Sequence, residues 1–195
     1  RSLLDVTETL RGKRFVVVGC TGFLGKVLIG LLLKRYPDIG HIYLMVRPKT
    51  GLSPQERFLQ ELWPSPCFDP MREGRNEFEA IQYLYEKLTP IAGDVTLPLA
   101  GIDAETLKQL ETEGVDAVLN VAGVVSFTPP IDDGFQVNAQ GVLNLIDLCR
   151  HLGPFAPTAP KSGNGAEVAP DSELDNEAPA IPLLHTSTCY VAGGR

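Results

Sequence analysis

The sequence predicts a doubly wound α/β domain, a parallel sheet with helices on both faces. Two observations carry that expectation. Short β-branched runs without polar alternation, the pattern of strands buried on both faces, recur with helical segments between them. The first run also passes through a glycine-rich turn directly into a helix. A length of 195 residues, 44% hydrophobic and 21% charged, suits one globular domain with a sizeable core.

Each element has its own signal. Arg14-Phe-Val-Val-Val-Gly-Cys reads as the first strand, and Gly25 to Arg35 as a helix that is apolar around most of its circumference and ends on Lys34-Arg35, where cations suit the helix dipole. His41-Ile-Tyr-Leu-Met-Val-Arg is the second strand and closes a βαβ unit of about thirty residues. Between 50 and 88, Ser53-Pro-Gln-Glu56 is a capping box with Pro at the first helical position and Asn76 with Glu79 a weaker one, so two amphipathic helices are expected. Ile91-Ala-Gly-Asp-Val ends a short third strand. Ala104 to Glu113 is a polar helix stopped by Gly114, Val115 to Val121 a fourth strand, Gln136 to Cys149 a long helix, and Ile181 to Ser187 a fifth strand. Residues 155–180 hold four prolines and five acidic residues against the single Lys161, a composition that buries too little apolar area to offset its ordering entropy. This stretch is expected to be a surface insertion.

Composition also excludes functions. A net charge of −7 with no Lys/Arg run argues against nucleic acid as a partner, because that affinity grows with the number of phosphate contacts. The longest apolar stretch, Val27 to Leu33, falls far short of the roughly 20 residues that cross a bilayer, so no transmembrane segment is expected. No export signal is expected, since Arg-Ser-Leu-Leu-Asp-Val-Thr-Glu has no charged region followed by an apolar one. Cysteines at 20, 67, 149 and 189 show neither C-x-x-C spacing nor disulfide density, which points to a reducing, cytoplasmic location and to no metal site.

Gly19-Cys-Thr-Gly22-Phe-Leu-Gly25 spaces three glycines by three residues between a strand and a helix. Glycine suits a turn whose backbone angles exclude side chains and whose backbone must approach a pyrophosphate at the helix N-terminus. A tight turn with close helix–sheet packing would use the same residues; the flanking strand and helix favour a dinucleotide. At the end of the second strand, Leu44-Met-Val-Arg47-Pro-Lys49 lacks the carboxylate that would hold ribose hydroxyls of NAD. A guanidinium with a nearby ammonium suits the 2′-phosphate of NADPH, and Arg57 is available for a second contact.

These motifs resemble the extended short-chain dehydrogenases/reductases, a Rossmann-like family whose loop T-G-x-x-G-F-x-G is matched by Gly19, Thr21, Gly22, Phe23 and Gly25, with Leu24 between them. The resemblance covers nearly the whole chain. It implies an adenine contact at Asp94 and Val95 in Gly93-Asp-Val, and contacts beside the nicotinamide ribose from Asn120, Ala122 and Gly123 in Asn-Val-Ala-Gly. Asn138, with Gly141 and Asn144, resembles the V-N-x-x-G-x-x-N helix that follows. Aligned on Val191 and Gly193, Thr188 in His185-Thr-Ser-Thr-Cys-Tyr takes the place of the catalytic Ser/Thr that donates to the substrate carbonyl, with Ser187 its nearest competitor.

The family's catalytic Y-x-x-x-K is not matched after the fifth strand, since Gly194 stands four residues beyond Tyr190. Tyr83 and Lys87 match the pattern, but on a helix before the third strand, where i,i+4 surface packing explains them. The chain is expected to stop before the catalytic Tyr and Lys and to be inactive alone. Thr-Gly-Phe-Leu-Gly-Lys-Val-Leu, Val-Arg-Pro-Lys, Asn-Val-Ala-Gly-Val-Val-Ser-Phe-Thr-Pro-Pro and His-Thr-Ser-Thr-Cys-Tyr-Val-Ala-Gly together look like the male-sterility type of fatty acyl-CoA reductase, with thioester-reductase domains as close cousins. Gly123 departs from the Ala common in the former, and the 155–180 insertion departs from both. The resemblance implies NADPH as cofactor and a fatty acyl-CoA or other acyl thioester as partner, and it allows a homodimer of the complete chain. A cofactor-binding regulator without turnover and a nucleotide-sugar epimerase or dehydratase stay open as alternatives.

Overall fold

The structure is a computed structural model that describes residues 5–124, 130–153 and 180–187. Five strands form one all-parallel sheet: β1 (Arg14–Val18), β2 (His41–Val46), β3 (Leu88–Ala92), β4 (Ala117–Asn120) and β5 (Leu183–His185), in the order β3-β2-β1-β4-β5. The chain reverses direction across the sheet at β1, where the connection from β3 passes over to β4. That is the switch point at which an open α/β sheet leaves a crevice beyond its strand ends.

The helices are α1 (Val6–Leu10), α2 (Phe23–Arg35), α3 (Pro54–Arg57), α4 (Asp69–Arg72), α5 (Glu77–Lys87), α6 (Ala104–Glu113), α7 (Ile131–Phe135) and α8 (Gly141–His151). A π-helical turn, Phe58–Leu62, continues α3, and another, Gln136–Gln140, joins α7 to α8. Alternate strand residues feed two cores. Phe15, Val17, Ile42, Leu44 and Val46 pack with Ile29 and Leu33 of α2 and with Phe58, Leu62 and Leu84. Val16, Val18, Tyr43, Met45 and Val118 pack with Leu107 and Leu110 of α6 and with Leu145 and Leu148 of α8. Strand residues are thus apolar on both sides because each side has its own helical layer.

Both capping boxes form. Ser53 accepts from the Glu56 amide and Asn76 from the Glu79 amide, and each glutamate side chain returns the bond to the cap's own N–H. Asp103 caps α6, and Gly114, at φ +78°, ends it as expected. Part of the apolar circumference of α2 has a second cover: the 3₁₀ turn Pro66–Phe68 lies so close that a Cβ on Gly30 would sit 2.5 Å from the Cys67 carbonyl oxygen, while Leu31 stays 44% exposed.

Several boundaries differ from expectation. α2 begins at Phe23, because Gly22 takes the extended cap position. β3 begins at Leu88, three residues before the expected apolar run. The segment 50–88 holds three short helices and two irregular turns in place of two helices, since Pro54, Pro66 and Pro70 each start a new turn. The helix expected at Gln136 begins at Ile131, and α1 was unsignalled because its cap, Asp5, precedes no apolar run. Most of the 155–180 insertion lies outside the described residues.

His41, at the start of β2, is half-buried, with Nε2 2.8 Å from Thr89 Oγ1 and its ring 5.0 Å from that of Tyr43. Burial lowers its pKa below the ordinary value, against weaker raising contacts from the Glu86 backbone and Glu113. The folded state therefore resists a proton that the unfolded chain accepts. Below about pH 6.5 the unfolded state binds more protons, so stability falls as pH drops until the folded pKa is reached. Urea denaturation should show a lower midpoint near pH 5.5 than near pH 7.5, and His41→Gln should flatten that difference. The depressed carboxylates titrate only below this window.

Candidate functional site: the crevice at the strand ends

The carboxyl ends of β1, β2, β3 and β4 bring together nearly all the residues singled out in the sequence. After β1, Gly19 has φ +84°, and a Cβ there would lie 2.6 Å from the Ala122 amide nitrogen in the loop after β4. Gly25 would place a Cβ 2.3 Å from the Gly19 carbonyl oxygen. These two glycines hold the turn against the sheet. Gly22 differs: only the Gly19 oxygen, at 3.4 Å, approaches its Cβ position. It is the N-cap of the 13-residue α2, and no side chain accepts from the helix's first amides. The arrangement leaves donors at the positive end of a helix beside an open glycine, the geometry that takes a pyrophosphate. Phe23 and Leu24 follow, exposed by 85% and 47%.

Cys20 lies inside this loop, yet it is fully buried and its thiol donates to the Met45 carbonyl at 3.3 Å. Burial pushes its pKa up to about 12, so it stays a neutral thiol and belongs to the core.

After β2, Arg47 and Lys49 are exposed, and Lys49 starts a turn closed by the Leu52 amide at 3.0 Å. Arg57 is engaged within the protein. Its Nε and Nη2 donate to the two oxygens of Glu61 at 3.0 and 2.6 Å, and Nη1 donates to the Arg47 carbonyl. It therefore ties the loop carrying Arg47 to α3. The Arg57 hydrogen bond, with charge from Arg57, Lys49 and Lys26, holds the Glu61 carboxyl below its usual range. Lys26 and Glu61 were missed in the sequence. A cation in the first turn of α2, unfavourable to the helix dipole, was the signal for Lys26; Glu61 carried none beyond its i,i+4 spacing from Arg57.

After β3, Asp94 accepts from the Thr96 amide at 3.0 Å and hydroxyl at 2.8 Å, while its own N–H donates to Ala100 at 2.7 Å. Leu99 and Ala100 both adopt left-handed angles to present that carbonyl, a conformation that costs roughly 1–2 kcal/mol per residue. Asn144 of α8, 7% exposed, donates to the Val95 carbonyl at 2.7 Å and secures the same loop from the other side.

After β4, Asn120 is 3% exposed and spends both ends of its amide inside the protein: Oδ1 accepts from Ala122 N–H, and Nδ2 donates to His185 Nδ1 at the end of β5, each at 3.0 Å. His185 is a third residue whose part in the crevice the sequence left unread. Asn138, in the π-helical turn, brackets Val124 with bonds of 2.9 Å from its amide and 3.5 Å to its carbonyl, and lies 3.4 Å from the Cβ position of Gly123. Thr188 lies outside the described residues. Tyr83 packs under Arg75, and Lys87 donates to Ile39 at 3.0 Å just before β3, at the opposite end of the sheet. Among the described residues no cluster of His, Cys, Asp and Glu could hold a metal, and no helix is long and apolar enough to cross a membrane.

A parallel sheet in this order, with a glycine turn at its switch point and an uncapped helix behind it, defines a Rossmann-like dinucleotide-binding domain. The sequence comparisons narrow the class. Residues 17–194 match the family model described as male sterility protein, and the chain belongs to that NAD-binding family. It is 29% identical over 190 residues to probable fatty acyl-CoA reductase 5 of Arabidopsis thaliana, a match that covers 97% of this chain and 33% of that protein. Fatty acyl-CoA reductase 1 of Mus musculus is 31% identical over 150 residues, 77% of this chain and 28% of that one. Among solved structures, a thiolation-reductase di-domain from an archaeal non-ribosomal peptide synthetase superposes with a TM-score of 0.50 at 30% identity, covering 72% of this chain and 26% of that chain. The chain thus spans about a third or less of the length of these relatives.

Proposed function

We propose that the full-length protein reduces a long-chain fatty acyl thioester, acyl-CoA, at the expense of NADPH. The observation that carries the cofactor choice is the end of β2, where Arg47 and Lys49 stand exposed and no carboxylate follows the strand. In this reading Gly19, Thr21, Gly22, Phe23, Leu24 and Gly25 cradle the pyrophosphate, Arg47 and Lys49 hold the 2′-phosphate, and Arg57 orients the loop that presents Arg47. Asp94 and Val95 border the adenine; Ala122, Gly123 and Asn138 border the nicotinamide ribose, with Asn120 shaping that loop from behind.

Bound NADPH supplies a hydride. Thr188, three residues beyond His185 at the end of β5, would donate its hydroxyl to the thioester carbonyl oxygen and offset the charge that develops there. Hydride addition with a proton for the departing thiolate would leave an aldehyde and CoA thiol, and a second NADPH with a further proton would give the alcohol. The acyl-CoA assignment is supported by the reductase names of the relatives.

The test is a panel of acyl-CoA thioesters, nucleotide sugars and short ketones presented to the full-length protein, with NADPH consumption and recovered aldehyde or alcohol as readouts. Long-chain acyl-CoA should be turned over in preference to the others. Turnover of a nucleotide sugar without net cofactor oxidation would replace this reading with an epimerase, and tight NADPH binding without turnover would replace it with a regulator.

A further inference from the structure

Among the described residues, Glu61 is an acid beside the crevice that the proposed cofactor contacts leave unused. Glu61 lies in the π-helical turn that follows α3, and its carboxylate fills the fork of Arg57 at 3.0 and 2.6 Å. Neither partner is free to wander. Phe58 and Leu62, on either side in sequence, are 1% and 0% exposed in the core, and the third donor of Arg57 is held by the Arg47 carbonyl. The paired side chains keep 13% and 31% of their exposure, so the carboxylate still meets solvent at the crevice edge. Lys26 and Lys49 contribute to its field from other elements. A fork-to-fork pair of this kind presents an arginine already satisfied by an anion, one bond away from the residue that a phosphate would address.

We propose that Glu61 is the resident counter-anion of the 2′-phosphate site, a positioning residue that orients Arg57 and, by its charge, sets how strongly the site prefers a phosphorylated dinucleotide. The inference rests on the NADPH reading above. Its physical content is a competition. The carboxylate keeps Arg57 aimed at the Arg47 loop, and at the same time it opposes an incoming dianion and neutralises one of the cations gathered there. Gln at this position removes the charge and keeps one oxygen that can accept from one arm of the Arg57 fork, while its NH2 cannot accept from the other, so salt dependence is needed to read the charge effect apart from the lost bond.

Glu61→Gln in the full-length protein should tighten NADPH several-fold and leave NADH unchanged; one unit charge acting on another about 4 Å away in a water-like dielectric shifts an affinity about fivefold. Raising salt to about 1 M, where the screening length falls to about 3 Å, should shrink that gain; a purely structural effect would not respond in this way. Thermal unfolding of the variant verifies that it is folded. An unchanged or reduced NADPH-to-NADH preference, or an equal shift for both cofactors, overturns the proposal. If the unaltered protein shows no preference and Arg47→Ala changes nothing, the NADPH reading itself fails and takes the proposal with it; a strong preference lost in Arg47→Ala but untouched in Glu61→Gln overturns the role of Glu61 alone.

Discussion

Gly25→Ala should abolish dinucleotide binding and destabilise the domain by about 3 kcal/mol or more, the upper range of overpacking in a rigid site. The added Cβ would lie 2.3 Å from the Gly19 carbonyl oxygen and 2.7 Å from Cys20 Cα, both backbone atoms that no rotamer change can move. Relief would require α2 to lift from the sheet or the turn to open, and either change dissolves the donor cradle. Gly22→Ala is the discriminating companion. Its φ is −75°, and its nearest neighbour would be 3.4 Å away, so the fold accepts the methyl group. It projects where the phosphates would approach, so binding should weaken while the melting temperature stays within a few degrees. Thermal unfolding and NADPH titration of the two variants provide the comparison. A Gly25→Ala protein that melts and binds normally would show that the turn is not close-packed against α2.

Replacing Arg47 by Ala should cost NADPH more than tenfold in affinity and leave NADH almost unaffected. Charge-assisted bonds to a phosphate are typically worth about 1.5–3 kcal/mol, and each 1.4 kcal/mol is a factor of ten. The arginine is exposed at the end of β2, beside the strand that carries the glycine turn, and Arg57 fixes the carbonyl of the same residue. Adding Lys49→Ala should deepen the loss, though less than a second independent tenfold, because the two cations share one phosphate. Isothermal titration of both cofactors against the full-length protein measures the selectivity directly. Equal affinity for NADPH and NADH before mutation would remove the argument from charge.

Much of this was legible without coordinates because it is local. A capping box needs only residues three apart, so Ser53 with Glu56 and Asn76 with Glu79 could be read directly, as could the stop at Gly114. The unalternated runs of β1 and β2 announced two helical layers. β3 contains Pro90, a residue that is disfavoured in a strand interior. It is tolerated since β3 lies at the sheet edge, paired only with β2, where its missing N–H leaves no neighbouring strand unsatisfied.

The sequence by itself determined the alternation of elements, the glycine turn and the cationic end of β2, because each depends on residue type at short spacing. Only the tertiary structure decided how those pieces converge: Asn120 joined to His185 across 65 residues, Asn144 securing Val95 across 49, and Arg57 turned back onto the Arg47 loop. Such contacts leave no periodic trace. Each buried polar group must find a partner, and which partner it meets is set by the sheet order that brings distant strand ends side by side.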